Sequence, residues 1–156
     1  MNRDDATGRI TIAPAQELDY DWAAHLMSGS DPWITLGRRL AQCQAAVRRP
    51  RTELFVARDA GRPLGFVLLD PYGCAGSPYI LSIAVDAHAR SQGIGSRLLT
   101  FAERCVVGCR FVFLCVSSFN LRAQQLYLRR GYERVGEFPN YVIDGQCELL
   151  LMKKLT

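Results

Sequence analysis

Residues 80–99 read ILSIAVDAHARSQGIGSRLL, and this stretch decides the fold of the chain. An apolar strand ends at Val85, a short loop follows, and an amphipathic helix begins around Gly93 and Gly95. Glycine lets a backbone approach a ligand closely, because it has no side chain. The N–H groups in the first turn of a helix are unpaired and lie at the positive end of its dipole. The stretch therefore predicts an anion-binding loop suited to a pyrophosphate, with Arg90 as a fixed positive charge beside it.

Two common phosphate-binding motifs do not fit this loop. A Walker-type loop requires a lysine after its second glycine, and no lysine follows Gly95. A dinucleotide fingerprint requires a third glycine, and Leu98 stands at that position. An ordinary strand-to-helix turn, in which the glycines serve only the geometry, stays open as the structural alternative.

A second pattern follows the next apolar strand, which spans residues 110–116. Ser118 or Asn120 can cap the helix after it, and Gly131 is placed to end that helix. Asn120 and Tyr127 are seven residues apart, so they project from nearly the same face. A phenol has a pKa of about 10, and at neutral pH it can donate a proton. The structural alternative for Tyr127 is a half-buried aromatic ring with a polar tip.

Together the two patterns resemble the GNAT superfamily of N-acetyltransferases. Arg-x-x-Gly-x-Gly behind Ile-Ala-Val-Asp is similar to its coenzyme A motif, and Asn-x-x-Ala-x-x-x-Tyr followed by Arg-Gly-Tyr is similar to its second motif. The resemblance implies that the strand pairs with pantetheine, that the loop amides hold the pyrophosphate, and that Tyr127 protonates the leaving thiolate. The coenzyme A-binding residues it implies are Ile83, Ala84, Val85, Arg90, Ser91, Gln92, Gly93, Ile94, Gly95, Ser96 and Asn120.

The resemblance also implies the architecture. We expect an α/β (α+β) domain with a mixed, mostly antiparallel sheet of about seven strands, helices on both faces and a splayed central parallel pair. This domain covers residues 9–156, behind a mobile tail of residues 1–8. The first two helices are predicted over residues 15–28 and 32–48, with Asp31 as the N-cap of the second and Pro32 at its first position.

Length and composition are typical of one domain. The chain has 156 residues, of which 49% are hydrophobic, so it can bury one core. No apolar stretch reaches membrane-spanning length and no signal-peptide pattern begins the chain, so we expect a cytoplasmic protein without a membrane partner. The six cysteines lack zinc-site spacing; we expect reduced thiols and no metal. A net charge of +4 suits an acidic cofactor without implying nucleic acid. Monomer and homodimer both stay open, since sheet edges can pair.

The group that deprotonates the amine is not evident from the sequence. Members of the superfamily place a glutamate at either of two positions, which are Cys115 and Tyr79 in this chain. Unperturbed thiols and phenols have pKa values of about 8.5 and 10, so neither is an obvious base at neutral pH. A role for Cys115 as a covalent acetyl carrier is disfavoured because no activating base is marked. We expect proton removal through ordered water or by a carboxylate, with four candidates: Asp70, Glu17, Asp31 and Asp144.

The acceptor would lie between the first two helices and the final hairpin, by the same resemblance. Trp33 and Tyr141 are its candidate contacts, because aromatic walls with nearby acids suit a cationic amine. The chain is somewhat similar to the ribosomal-protein alanine and N-terminal protein acetyltransferases. Residues 138–141, followed by a glycine and then residues 148–152, are similar to the tail of the N-terminal protein acetyltransferases, although members that act on small molecules close with a similar hairpin. The sequence therefore predicts an acceptor amine on a peptide N-terminus or a small molecule. A non-catalytic acetyl-CoA-binding regulatory domain is the alternative.

Overall fold

The computed structural model describes residues 9–156, and the predicted tail of residues 1–8 lies outside the described residues. This part of the chain contains seven strands and four α-helices, with a short 3₁₀ helix, Ala87–Ala89, between β4 and α3. In chain order the elements are β1 (Ile10–Pro14), α1 (Glu17–Ser28), α2 (Leu40–Val47), β2 (Glu53–Asp59), β3 (Arg62–Cys74), β4 (Ser77–Val85), α3 (Ile94–Cys105), β5 (Phe111–Ser117), α4 (Leu121–Arg129), β6 (Glu133–Pro139) and β7 (Cys147–Lys154).

The seven strands form one sheet in the order β1-β2-β3-β4-β5-β7-β6. Neighbouring strands are antiparallel except β4 and β5, which are parallel. The ladder between β4 and β5 consists of two residue pairs, Tyr79 with Phe113 and Ile80 with Leu114. Beyond Ile80 the two strands separate. The predicted mixed sheet with a splayed central parallel pair is confirmed.

Helices cover both faces of the sheet, as predicted. On α3, Ile94, Leu98, Leu99 and Ala102 recur at helical spacing and are all buried in the larger core, together with Tyr127 of α4. On the opposite face, α1 and α2 pack on β2, β3 and β4 through a second core. Within the described residues this second core takes no side chain from β5, β6 or β7. One face of that half of the sheet is therefore not covered by α1 and α2.

The prediction of one helix over residues 32–48 is wrong in its first half. Asp31 does act as a cap, since its Oδ1 accepts hydrogen bonds from the backbone N–H and the hydroxyl of Thr35. However, the turn that it starts ends at Gly37, whose φ of 70° is left-handed. The regular helix begins at Leu40. Trp33 consequently lies on a loop between α1 and α2.

Strand β3 is longer than the sequence predicts. The pattern indicates a strand over residues 63–69, because Asp70, Pro71 and Gly73 are poor strand formers. The structure continues β3 to Cys74, with an irregular register after Asp70. Gly73 permits this hairpin, since an added Cβ would lie 2.8 Å from the Cβ of Tyr79. In residues 9–156 no helix combines the length and the apolar character needed to cross a membrane.

Candidate active site

A cleft of about 1180 Å³ opens where β4 and β5 separate. One end is formed by the loop between β4 and α3, and the middle by the edge of β4, the end of β5 and one face of α4. The other end is formed by the loop between α1 and α2 and by the hairpin between β6 and β7. A long cleft of this size can hold an extended ligand at one end and a second molecule at the other.

The loop after β4 has the geometry of an anion site. Asp86 accepts a hydrogen bond from the backbone N–H of His88 at 2.9 Å, which holds the 3₁₀ turn. Ser91 and Gly93 follow with φ of 64° and 75°, and Gly93 is the N-cap of α3. Within the described part of the chain no side chain caps this helix, so its first N–H groups keep their capacity to bind an anion in the cleft.

Two arginines brace this loop. The Nε of Arg90 donates to the carbonyl of Val85 at 3.4 Å, which folds the side chain back along the loop. Arg122 of α4 donates from Nη2 to the Ser91 hydroxyl at 3.1 Å, and it also lines the cleft. Sequence reasoning missed Arg122, because its proximity to Ser91 depends on how α4 packs beside α3. The two guanidinium groups make this end of the cleft electropositive.

Ten of the eleven predicted coenzyme A-binding residues line the cleft, and Gln92, which is exposed, does not. Several contribute backbone rather than side chain. Ile94 is 1% exposed and its side chain lies in the core under α3. Ile83 and Val85 pack against the same core, whereas Ala84 packs on the opposite side of the sheet. Their side chains alternate, so the edge that β4 presents to the cleft is a row of backbone N–H and C=O groups.

Asn120 and Tyr127 lie on the same wall of the cleft. Asn120 is the N-cap of α4, and its Oδ1 accepts from the N–H of Ala123 at 3.3 Å. Of the two predicted caps, Ser118 instead donates its hydroxyl to Oε1 of Gln146 at 2.9 Å. With its oxygen used as a cap, the Asn120 side chain still has an amide N–H₂ to offer a ligand.

Tyr127 is 6% exposed and packs edge-to-face on Tyr132, with 5.9 Å between the ring centroids. Burial raises the pKa of its hydroxyl above the usual 10, and within residues 9–156 no charge or hydrogen bond adds to that effect. The ring is therefore held rigidly while the hydroxyl stays protonated at neutral pH. A protonated phenol on the wall of a cleft can act as a proton donor.

The middle of β4 contains a bulge. Leu68 of β3 is paired with Ser82, but Leu69 is paired with Ile80, so Leu81 is an extra residue in the ladder. A bulge leaves one residue unpaired and bends the strand. It lies one residue beyond the last pair with β5, where the two strands separate. The bulge thus contributes to the splay that opens the cleft, and no residue pattern in β4 predicts it.

Cys115 and Tyr79 lie close together across the splay, and each affects the pKa of the other. Burial is the main cause that raises the pKa of both groups, so both are neutral at neutral pH. The negative charge of Glu148 raises both pKa values further. Neither group is therefore suited to remove a proton from an amine.

The four carboxylates predicted as candidate bases are scattered. Asp31 lines the cleft, but its Oδ1 is engaged with Thr35. Glu17 forms an exposed ion pair with Arg48, and Asp70 and Asp144 do not line the cleft. Glu148 of β7 does line it, beside Cys115 and Tyr79. Sequence reasoning missed this carboxylate, because its place depends on the pairing of β7 with β5.

The acceptor contacts predicted from the sequence lie at the far end of the cleft. Trp33 is half-buried on the loop between α1 and α2, and Tyr141 is 71% exposed on the β6–β7 hairpin beside Phe138. Both line the cleft. Trp22 packs edge-to-face on Phe66 with 6.3 Å between centroids, so its ring anchors α1 on the sheet. In residues 9–156 no His, Cys, Asp and Glu group is arranged to hold a metal ion.

Comparisons with known proteins identify the family of this chain. The sequence model of the acetyltransferase (GNAT) family matches residues 17–132. An uncharacterized N-acetyltransferase of Methanocaldococcus jannaschii is 33% identical over 105 residues, which span 64% of this chain and 65% of that protein.

Two solved structures share the fold. An aminoglycoside 6′-N-acetyltransferase complexed with coenzyme A superimposes with a TM-score of 0.76 at 17% identity, covering 94% of this chain and 97% of that one. The ribosomal-protein-S18-alanine N-acetyltransferase of Escherichia coli gives 0.74 at 20% identity, covering 94% of each chain. Because the family model covers most of the described domain, the chain belongs to the acetyltransferase (GNAT) family.

Proposed function

We propose that this protein transfers the acetyl group of acetyl-CoA to a primary amine, with both substrates in the cleft at once. The observation that carries the proposal is the placement of Tyr127 and the uncapped start of α3 on one continuous cleft. An anion site and a protonated phenol are the two groups that a thioester cofactor and its leaving thiolate require. The aminoglycoside acetyltransferase of the same fold is complexed with coenzyme A, which supports the choice of cofactor.

Coenzyme A would extend along the cleft from the anion site. The N–H groups of Gly93 to Ser96 would bind the pyrophosphate, with Arg90 and Arg122 beside them. The pantetheine arm would pair with the free backbone edge of β4 at Ile83 to Val85, as a further strand pairs with a sheet. Asn120 would donate its amide to the arm. The thioester then lies toward the middle of the cleft, next to Tyr127.

The chemistry follows by direct attack. The amine nitrogen forms a bond to the thioester carbon, and the negative charge passes to the carbonyl oxygen. A backbone N–H of β4 near Ala84 or Val85 would stabilise this oxyanion, an effect of about 3 kcal/mol when the donor is fixed in place. The C–S bond then breaks, and Tyr127 gives its proton to the sulfur. The new amide nitrogen loses a proton, which can restore Tyr127.

The fold alone does not determine the identity of the acceptor amine. The solved structures that share this fold include an aminoglycoside acetyltransferase and a ribosomal-protein acetyltransferase. The amine would enter at the end formed by Trp33 and Tyr141. These side chains come from a loop and a hairpin, which are the segments that vary most between relatives. We expect a cytoplasmic enzyme that acts as a monomer or homodimer.

The test is thiol release from acetyl-CoA with a panel of amines that includes free peptide N-termini, amino acids, polyamines and aminoglycosides. Tyr127→Phe keeps the buried ring but removes the proton donor, so we expect kcat to fall about 100-fold. Tyr132→Phe is the matched control, because Tyr132 is also buried and touches Tyr127 but does not line the cleft. A different result would contradict the proposal: acetyl-CoA binds, but no amine is acetylated and both variants behave like the parent. The protein would then be a regulatory domain that binds acetyl-CoA.

A further inference from the structure

Glu148 lies on the sheet face that α1 and α2 leave uncovered. Its neighbours on β7, Cys147 and Leu149, pack against the larger core, so the side chain between them points to the opposite face. Ser117 of β5 and Phe138 of β6 are its partners in the neighbouring strands. The residue is half-buried and lines the cleft. A carboxylate thus stands on the wall of the acceptor half of the site.

The carboxylate is held in one orientation. The hydroxyl of Ser117, which is 2% exposed, donates to Oε1 of Glu148 at 2.7 Å. Gln124 of α4 fixes this end of β5 in turn, because its Nε2 donates to the carbonyls of Ser117 and Ser118 at 3.1 and 3.0 Å. Within residues 9–156 the second oxygen, Oε2, has no hydrogen-bond partner. One acceptor of a fixed carboxylate is therefore available to a ligand.

The titratable groups around Glu148 are neutral, so its carboxylate carries the negative charge at this point of the cleft. The titratable neighbours that it affects are Tyr79 of β4 and Cys115 of β5, and Cys74 of β3 is close to both. Burial raises the pKa of both Tyr79 and Cys115, so both are neutral at neutral pH. A half-buried anion among neutral groups attracts a cation more strongly than an exposed anion does, because water screens its charge less.

The balance of charge along the cleft restricts the acceptor. Among the described residues, its lining holds three carboxylates, Asp31, Asp86 and Glu148. Asp86 belongs to the anion loop, and at the acceptor end the positive charge of Arg38 balances the negative charge of Asp31. This leaves Glu148 as the excess negative charge among the described residues of that end. Together with Trp33 and Tyr141 in the same lining, one excess carboxylate matches one ammonium group beside an apolar or aromatic moiety. A polycation would find too few partners for its other charges.

We propose that Glu148 is a catalytic residue that binds the ammonium group of a singly charged primary amine and takes its proton before the attack. This inference rests on the proposed amine acetylation. The proton passes from nitrogen to Oε2, which gives a neutral amine and a carboxylic acid. The amine then attacks the thioester as described, and Glu148 later loses its proton to solvent. The net products are the acetamide, the free thiol of coenzyme A and one proton.

Glu148→Gln tests this step, because glutamine can still accept the hydrogen bond of Ser117 but carries no charge. We expect coenzyme A to bind with the affinity of the parent, and kcat/KM for a cationic amine to fall at least 30-fold at pH 7. The loss should shrink about tenfold per pH unit as the pH rises toward the pKa of the amine, since the free amine then no longer needs a base. Glu148→Asp keeps the charge and should recover part of the activity.

Two comparisons sharpen the result. A weakly basic aromatic amine is neutral at pH 7, so its acetylation should fall less than threefold in Glu148→Gln. Glu137→Gln is the matched control, because Glu137 is exposed on β6, pairs with Arg134 and does not line the cleft. Singly charged amines should also be better substrates of the parent than polyamines or aminoglycosides.

The outcomes separate the two proposals. Equal kcat/KM for cationic amines in the parent and Glu148→Gln would overturn the role of Glu148 and leave amine acetylation standing. Equal losses for neutral and cationic amines would also overturn it, since they indicate a distorted site. If the parent binds coenzyme A but acetylates none of the amines, the proposed function falls and the role of Glu148 falls with it.

Discussion

Replacing Gly93 by alanine should damage the anion loop more than it damages the fold. Gly93 has a φ of 75°, and an ideal Cβ built on it meets no atom of residues 9–156 within 4 Å. The substitution therefore causes no steric clash, and its cost lies in the left-handed backbone, about 1–2 kcal/mol for a residue with a side chain. For a chain of this length we expect the melting temperature to fall by about 2–8 °C.

Gly61 provides a matched control for that strain. It has a φ of 81°, its added Cβ also meets nothing within 4 Å, and it lies in the turn between β2 and β3, away from the cleft. Gly61→Ala and Gly93→Ala should therefore lose similar stability. Relief of the strain at Gly93 rotates the N–H groups that begin α3, which costs one or two charge-assisted hydrogen bonds to pyrophosphate. Since each contributes about 1.5–3 kcal/mol, the affinity for coenzyme A should fall at least tenfold.

Thermal unfolding and calorimetric titration with coenzyme A measure the two effects separately. Parent-like affinity in Gly93→Ala, with the stability loss present, would show that the start of α3 does not bind the pyrophosphate. Equal affinity losses in Gly93→Ala and Gly61→Ala would assign the effect to general destabilisation. An unchanged melting temperature in both variants would refute the strain argument itself.

Three further outcomes follow from other contacts. Burial raises the pKa of Tyr127, so the stability that the protonated phenol contributes is complete below about pH 10 and is lost as the pH rises above that value. Between pH 9 and 11 the melting temperature of Tyr127→Phe should therefore decline less than that of the parent. Arg122→Gln removes the positive charge beside Ser91, and calorimetry should show a several-fold weaker affinity for coenzyme A without a change in melting temperature. Lys153→Met leaves the largely buried carboxylate of Glu103 without its cation, 3.0 Å away, and should lower the free energy of unfolding by about 2–3 kcal/mol in a urea titration.

The backbone geometry of the loop after β4 could be predicted because all of its determinants are local. The apolar run before Val85, the glycines at 93 and 95 and the amphipathic helix after them lie within twenty residues. Local geometry follows from such neighbours through backbone sterics and hydrogen bonding, whatever the rest of the chain does. The same holds for Asn120 and Tyr127, which one helix places on one wall of the cleft.

The segment before α2 shows where local rules compete. Asp31 and Pro32 are a strong helix start, and the structure does form a first turn there, with Leu36 N–H bonded to the carbonyl of Pro32. Gly37 then adopts a left-handed conformation. Any glycine can adopt it, so the sequence alone does not predict that this one does. The result is a loop that carries Trp33 to the mouth of the cleft instead of along a helix.

Glu148 could not be located from the sequence because three long-range events place it. Strand β7 must insert between β5 and β6, which puts Glu148 opposite Ser117, 31 residues away. The alternation of β7 must turn Cys147 and Leu149 to the core and Glu148 away from it. Finally, α1 and α2 must end their coverage at β4, so that this face stays open. A charged residue in an apolar strand is the one local sign of such a site. It becomes informative only when the sheet order shows that the face it occupies borders the cleft. The same strand order places the negative charge of Glu148 beside Tyr79 and Cys115. These two neutral residues occupy the positions on β4 and β5 at which members of the superfamily place a glutamate.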